Sequence, residues 1–157
     1  MLNRPLIAAL AAAAALLLQS ASAADDPTPP RGAAAANADK LAPARALIAE
    51  GKWTAAIDAL KAVNDGGSAD WNNLMGYSHR KARTPDYAAA ERYYDAALRI
   101  DPRHKGALEY SGELYLMMGN AAKAEARLAA LNGVCGPSCA EYKDLKAAIE
   151  RQKAAPK

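Results

Sequence analysis

A single spacing limits what this chain can fold into. Ala56, Ala90 and Ala124 recur every 34 residues. So do Leu60, Tyr94 and Leu128, and so do Val63, Ala97 and Leu131. Trp53, Tyr87 and Ala121 keep the same step, as do Gly51, Pro85 and Gly119. Each set holds one place in a local pattern: a turn former, an aromatic or small residue, a small residue, then two larger apolar residues at helical spacing. Self-similarity of this length marks a stack of supersecondary units, each too small to bury its apolar face alone.

A breaker inside each period divides the unit into two helices. In the third unit Gly112, Tyr115 and Leu116 share the first helix, and Gly119-Asn120 turns the chain. Asn120 is placed to cap the second helix, which carries Ala124, Leu128 and Leu131 on one face. In the second unit Asp86 is the expected cap, and Asp101-Pro102 ends the helix. In the first, Gly51 separates a helix at 41–49 from one at 53–62, and Pro43 is tolerated because it lies in the first turn. A last helix is expected at 139–152, outside the period. It opens on Ser138-Cys139-Ala140-Glu141, the spacing of a capping box. Tyr142, Leu145 and Ile149 give it one apolar face, and polar residues fill the other, as suits a helix that closes a stack.

Composition agrees with helices. Ala supplies 42 of the 157 residues, Phe is absent and there are two Val, a poor set for sheets and a good one for helices. The predicted class is all-α: an α-solenoid of about three helix-turn-helix repeats (39–69, 70–104 and 105–134) with a C-terminal capping helix at 139–152, in a domain spanning 39–153.

The first residues read as a targeting signal. Arg4 precedes 13 uninterrupted apolar residues at 6–18, and Ala21-Ser22-Ala23 gives the small-x-small pattern of a cleavage site. A signal peptide at 1–23 is expected, and the chain is expected to be exported, to the periplasm. A helix of that length rises about 20 Å, short of a hydrocarbon core of ~30 Å, so no transmembrane anchor is expected. Residues 24–38 contain three prolines and no large apolar side chain; a disordered Ala/Pro-rich linker is expected. Residues 24–157 together carry 19 Lys and Arg against 17 Asp and Glu, too balanced for a dedicated nucleic-acid binder.

The repeat pattern resembles the tetratricopeptide family, W-x2-L-G-x2-Y, then A-x3-F, then P. The third unit matches through Leu108, Ser111, Gly112 and Tyr115, then Ala124 and Leu128. The second matches through Asn72, Met75, Gly76 and His79, then Ala90 and Tyr94, then Pro102. The first is degenerate, with Ala44, Leu47, Ala56 and Leu60. Gly112 and Ala124 are 12 apart as in the family, but Gly76 and Ala90 are 14 apart. Two residues are therefore inserted within 81–85, and a protruding basic loop with Arg80, Lys81 and Arg83 is expected there. The chain is also similar to small exported bacterial proteins with this repeat. They share G-Y-S-x-R-K (Gly76 to Lys81), D-P-x-H-K-G-A (Asp101 to Ala107) and a C-x3-C-x-E-Y-x-D-L-K tail that begins at Cys135.

The resemblance implies a concave groove lined by the first helix of each pair. By position the lining would be Arg45, Ile48 and Ala49, then Asn73, Tyr77, Arg80 and Lys81, then Glu109, Glu113, Leu116 and Met117. Tyr and Met anchors in a mixed polar surface suit a peptide or a partner helix. Gly106 and Tyr110 stand where some relatives place cations that clamp a terminal carboxylate, so no such clamp is expected. The expected role is a scaffold or adaptor for a protein partner in the cell envelope, without catalysis, cofactor or metal. So short a stack leaves self-association open.

One competing chemistry is visible. Cys135-Gly136-Pro137-Ser138-Cys139 resembles a redox motif with a Ser inserted, and a thiol at a helix start is acidified. The plain alternative is a structural disulfide, which an oxidising compartment permits. Two cysteines without clustered histidines do not complete a four-ligand zinc site. His79 stands at a family core position and is expected to pack; His104 falls in the inter-repeat turn and is expected to be solvated. No Ser-His-Asp order, phosphate loop or catalytic carboxylate pair is visible.

Overall fold

The computed structural model describes residues 39–154. The expected signal peptide and linker lie outside them. The described residues form seven helices and no strand: α1 Ala42–Ala49, α2 Trp53–Val63, α3 Ala69–Lys81, α4 Tyr87–Ile100, α5 Lys105–Met117, α6 Ala121–Cys135 and α7 Ala140–Ala154. No helix among them is long and apolar enough to cross a membrane.

The turns inside the units follow from single residues. After α1, Gly51 takes φ 70°, Lys52 N–H donates to Leu47 O and Gly51 N–H to Ile48 O. After α5, Gly119 takes φ 74° and the same pair of bonds joins Asn120 to Tyr115 and Gly119 to Leu116. This double closure needs a left-handed residue just past the helix, where glycine carries no steric penalty. Pro85 holds that place in the second unit and can neither donate nor take a positive φ. The chain instead crosses 82–86 in a wider loop, with Asp86 N–H donating to His79 O across it. The inserted residues are therefore where the spacing put them. Arg80 is not on that loop: it lies within α3 and is 4% exposed. The expected basic loop retains Arg83, with Lys81 exposed at the end of α3.

Caps fix the other starts. Asp86 accepts from Ala89 N–H at 2.8 Å and Asn120 from Lys123 N–H at 3.1 Å, as expected. Ser68 Oγ accepts from Trp71 N–H. His104 Nδ1 accepts from Ala107 N–H at 3.0 Å, and its Nε2 lies 2.9 Å from Asp70. It is thus a cap and a bridge, not a solvated turn residue. At α7, Lys143 N–H donates to Cys139 O. Cys139 is therefore the cap, and Ser138 falls one place outside the expected box.

Neighbouring helices pack in sequence, and the odd-numbered ones also touch one another: α1 with α3, α3 with α5, α5 with α7. They form an inner row. The outer helices α4 and α6 meet through long side chains, Lys123 to Glu91 at 3.0 Å and Arg127 to Asp95 at 3.2 Å. Burial is divided accordingly. One cluster joins Leu41, Ile57, Leu60, Trp71 and Met75; a middle one Ala90, Tyr94, Ala97 and Leu114; a last one Leu108, Leu131, Leu145 and Ile149. Such segmented cores are the energetic signature of a stack held by nearest-neighbour contacts.

Two close approaches use the recurrent glycine differently. A Cβ on Gly76 would meet the Tyr94 ring at 2.8 Å, within its own helix pair. A Cβ on Gly112 would meet Leu145 Cδ2 at 2.5 Å. The cap helix thus presses into the notch of α5 from the next position along the row.

Cys135 and Cys139 are bonded, with Sγ atoms 2.07 Å and Cα atoms 5.9 Å apart. The bond spans the α6–α7 connection and closes a very short loop. Reduction, or Cys135→Ser with Cys139→Ser, is expected to cost about 2 kcal/mol by loop entropy. Urea unfolding with and without reductant measures it.

Candidate partner-binding groove

The inner faces of α3 and α5 meet as a ladder with a constant step. Asn73 lies against Gly106, its Nδ2 3.2 Å from where a Cβ would stand. Tyr77 and Tyr110 have ring centroids 4.7 Å apart. Arg80 Nη1 lies 2.7 Å from Glu113 Oε2. Each rung joins residues 33 apart in sequence. Trp53 from α2 adds an edge contact to Tyr77 at 5.9 Å. The spacing Asn73, Tyr77, Arg80 on α3 and Gly106, Tyr110, Glu113 on α5 keeps each set on one helix face.

Arg80 organises the rungs. Its guanidinium sits 5.3 Å from the Tyr77 ring centre and 5.5 Å from that of Tyr110, a geometry attractive to a cation. Burial opposes its charge, but Tyr94 and Glu113 more than offset this and raise its pKa. Its Nε nevertheless has no partner, and neither does Asn73 Oδ1. Burial, with the Glu109 charge next, pushes the Tyr110 phenol up to about 12, so it faces the groove neutral.

Glu109 differs from its neighbours. It is 8% exposed, and among the described residues no cation lies within ion-pair distance of it. Burial comes first, then Glu113, Asp144 and Glu141, in pushing its carboxyl up to about 7, while Arg80 opposes. Folding therefore favours the neutral acid. Its contribution to stability is full below the ordinary value of 4.5 and is lost as pH rises through about 7. Glu109→Gln should match the parent near pH 5 and exceed it at pH 8 by about 2 kcal/mol. Thermal melts at the two pH values check this.

The remaining expected groove residues divide. Lys81 and Met117 are exposed at the last positions of α3 and α5, beyond the final rung. Arg45 is exposed and pairs with Asp39 and Asp70, at 3.4 and 3.5 Å. Ile48 packs on the first core cluster and Ala49 is exposed. Leu116 is not a lining residue: it packs among Leu131, Leu145 and Ile149 in the last core, because α7 covers that side of α5. His79 packs as expected, stacked on Tyr93 at 5.5 Å, and burial holds its pKa low. The sequence reading missed Trp53 and the acidic pair Glu141 and Asp144 as groove elements. Their signal was present in α7, whose polar positions include these two carboxyls beside Lys105; Lys105 Nζ reaches Glu141 at 3.0 Å.

Cys135, Cys139 and Glu141 bring their donor atoms within 4.8 Å of one another. The sulfurs are joined and Glu141 is paired with Lys105, so these donors are already engaged.

Residues 85–149 match the family model described as tetratricopeptide repeat. These residues form a tetratricopeptide repeat. The match runs from the start of α4 through most of α7, so it takes in the cap helix as well as the third unit. This agrees with the packing of α7, which takes the next place in the inner row. No curated protein matches the chain. Tetratricopeptide repeats suggest a scaffold for protein–protein interaction.

Proposed function

We propose that this chain is a tetratricopeptide repeat protein exported to the bacterial periplasm, and that it works there as a scaffold, binding another envelope protein through its inner groove. The observation that carries the reading is the α3–α5 ladder. It sets two aromatic rings beside Arg80 Nε and Asn73 Oδ1, buried polar atoms left without partners, on the same helices as the buried Glu109. Such groups cost free energy in the unbound protein and regain it when a ligand supplies the missing bond.

A photo-crosslinking residue at Tyr77 should capture a specific protein in cells, and one at the outer, exposed Arg92 should not. Equal capture from both positions, or none from Tyr77, would overturn the groove reading. Export is tested separately by finding mature chains beginning at Ala24 in the periplasmic fraction.

A second reading is a thiol–disulfide redox protein. What favours it is Cys139 at the cap of α7, bonded to Cys135, since a helix start stabilises a thiolate. A potential outside the exchange range, with no turnover of a reduced substrate, leaves the bond a staple.

A further inference from the structure

We propose that the groove recognises a basic segment of its partner, with a lysine or arginine side chain seated between Glu109 and Asn73. The inference rests on the groove being the partner-binding face and adds the chemistry of what enters it.

The α3–α5 ladder leaves one acceptor and one donor open, and it carries an unpaired carboxyl beside the acceptor. Asn73 Oδ1 is an unpartnered acceptor on a residue 8% exposed. Glu109 is an acceptor of the same burial, one helical turn beyond Gly106, the residue that Asn73 touches. Arg80, the cation on the ladder, is committed to Glu113 through Nη1, and its open Nε–H is a donor that a backbone carbonyl of the same segment can meet. An open acceptor and an unpaired carboxyl on one face of the ladder suit a group that only donates and carries positive charge, as ammonium and guanidinium do.

The surrounding charge points the same way. Facing Glu109 are Glu113 on its own helix, Asp144 and Glu141 on α7, and Arg80 on α3. Lys105, at the start of α5, is held by Glu141. His104 lies beside Gly106 and bridges to Asp70. After these pairs are made, Glu109 and Asp144 remain as negative charge without an ion-pair partner among the described residues. A carboxylate-bearing peptide would add repulsion, and an uncharged one would leave the carboxylates without an opposite charge. The exposed Met117 lies past the last rung and gives the aliphatic part of such a segment a surface to rest on.

Seating a cation favours the ionised form of Glu109, so binding releases its proton wherever it carries one. Affinity must then rise with pH through about 7, where this carboxyl titrates in the free protein. A shift from pH 6 to pH 8 should tighten binding about tenfold. Added salt should weaken it.

The test uses the full exported chain, isotopically labelled, titrated with acetylated and amidated hexalysine and, separately, hexaglutamate of the same length. Resonances are followed by NMR. Hexalysine should shift the Asn73 side-chain amide and the backbone amides around Glu109 and Tyr110, about tenfold more tightly at pH 8 than at pH 6. Hexaglutamate should not. Glu109→Gln should weaken hexalysine binding and remove its pH dependence, while Asp58→Asn, the same charge change at an exposed residue of α2, should do neither. The inference is overturned if hexaglutamate shifts the same amides as strongly, or if Glu109→Gln binds hexalysine unchanged. It is also overturned if the pH dependence survives in Glu109→Gln, which would assign it to another group. Failure here with a specific crosslink still formed from Tyr77 leaves the groove reading standing and removes the cation. Failure of both removes the groove.

Discussion

Replacing Gly112 by alanine should destabilise the protein by about 2 kcal/mol, although alanine is the better helix former. The new Cβ would stand 2.5 Å from Leu145 Cδ2 and 2.7 Å from Leu145 Cδ1. Leu145 is fully buried at the centre of the last core, so it has no free direction in which to withdraw. Either α7 lifts from α5 or the leucine leaves its rotamer, and both forfeit packing. The control lies on the next helix. Gly133 is also helical, but a Cβ there meets nothing within 4 Å. Gly133→Ala should therefore gain about 0.5–1 kcal/mol, from propensity alone. Urea midpoints of the two variants should move in opposite directions. A second check adds Leu145→Ala to Gly112→Ala: the double variant should lose less than the sum of the singles, because the second change removes what the first collides with. Equal shifts for Gly112 and Gly133 would mean that the cap helix does not depend on this notch.

Trp71→Ala should have the larger cost, about 3–5 kcal/mol. Trp71 is 7% exposed and lies in the first core with Leu60, Leu74 and Met75. Its Nε1 donates to Leu60 O at 2.7 Å, and its ring meets Tyr93 edge-on at 5.8 Å. One side chain thus ties α3 to α2 by a hydrogen bond and to α4 by an aromatic contact. Losing it leaves a void and an unmatched carbonyl lone pair at the joint between the first unit and the rest. Against a total stability of about 5–15 kcal/mol, this is enough to release one end of the stack. Proteolysis should then cut near 64–68, between α2 and α3, before it cuts near 118–120. Trp71→Phe keeps much of the volume and should lose less than half as much. A single cooperative loss of all seven helices in Trp71→Ala would argue that the units are not separately coupled.

The residues explain why the architecture could be read and the ladder only partly. The period of 34 appears at positions where bulk or backbone freedom is dictated locally: Ala90 and Ala124 where helices approach, Gly51 and Gly119 where φ is positive. Such demands are written in the identity of one residue. The Gly76–Ala90 spacing of 14, against 12 for Gly112 and Ala124, announced the wider loop. The rungs obey a different rule. Asn73 meets Gly106, Tyr77 meets Tyr110 and Arg80 meets Glu113 at a step of 33, set by the axial stagger of α3 and α5. No single residue records that stagger. Arg80 looked like a loop cation because arginine is seldom buried without a partner, and its partner stands in the next repeat. His104 looked solvated for the same reason: its mate Asp70 is 34 residues away. Leu116 was placed in the groove because the helix that covers it, α7, falls outside the period.

The division of the interior into three clusters has a further consequence for how a partner would be felt. Slow hydrogen exchange should centre on Tyr94, Ala97 and Leu114, whose cluster has neighbours on both sides, and the terminal helices should exchange sooner. The ladder joins α3 to α5 across that same middle. A ligand seated there would raise the opening free energy of the central joint directly, in proportion to the logarithm of its concentration. The ends would gain only what neighbouring contacts pass along. Occupancy would then be written as a gradient of amide protection along the stack, steepest at the second and third units and fading towards α1.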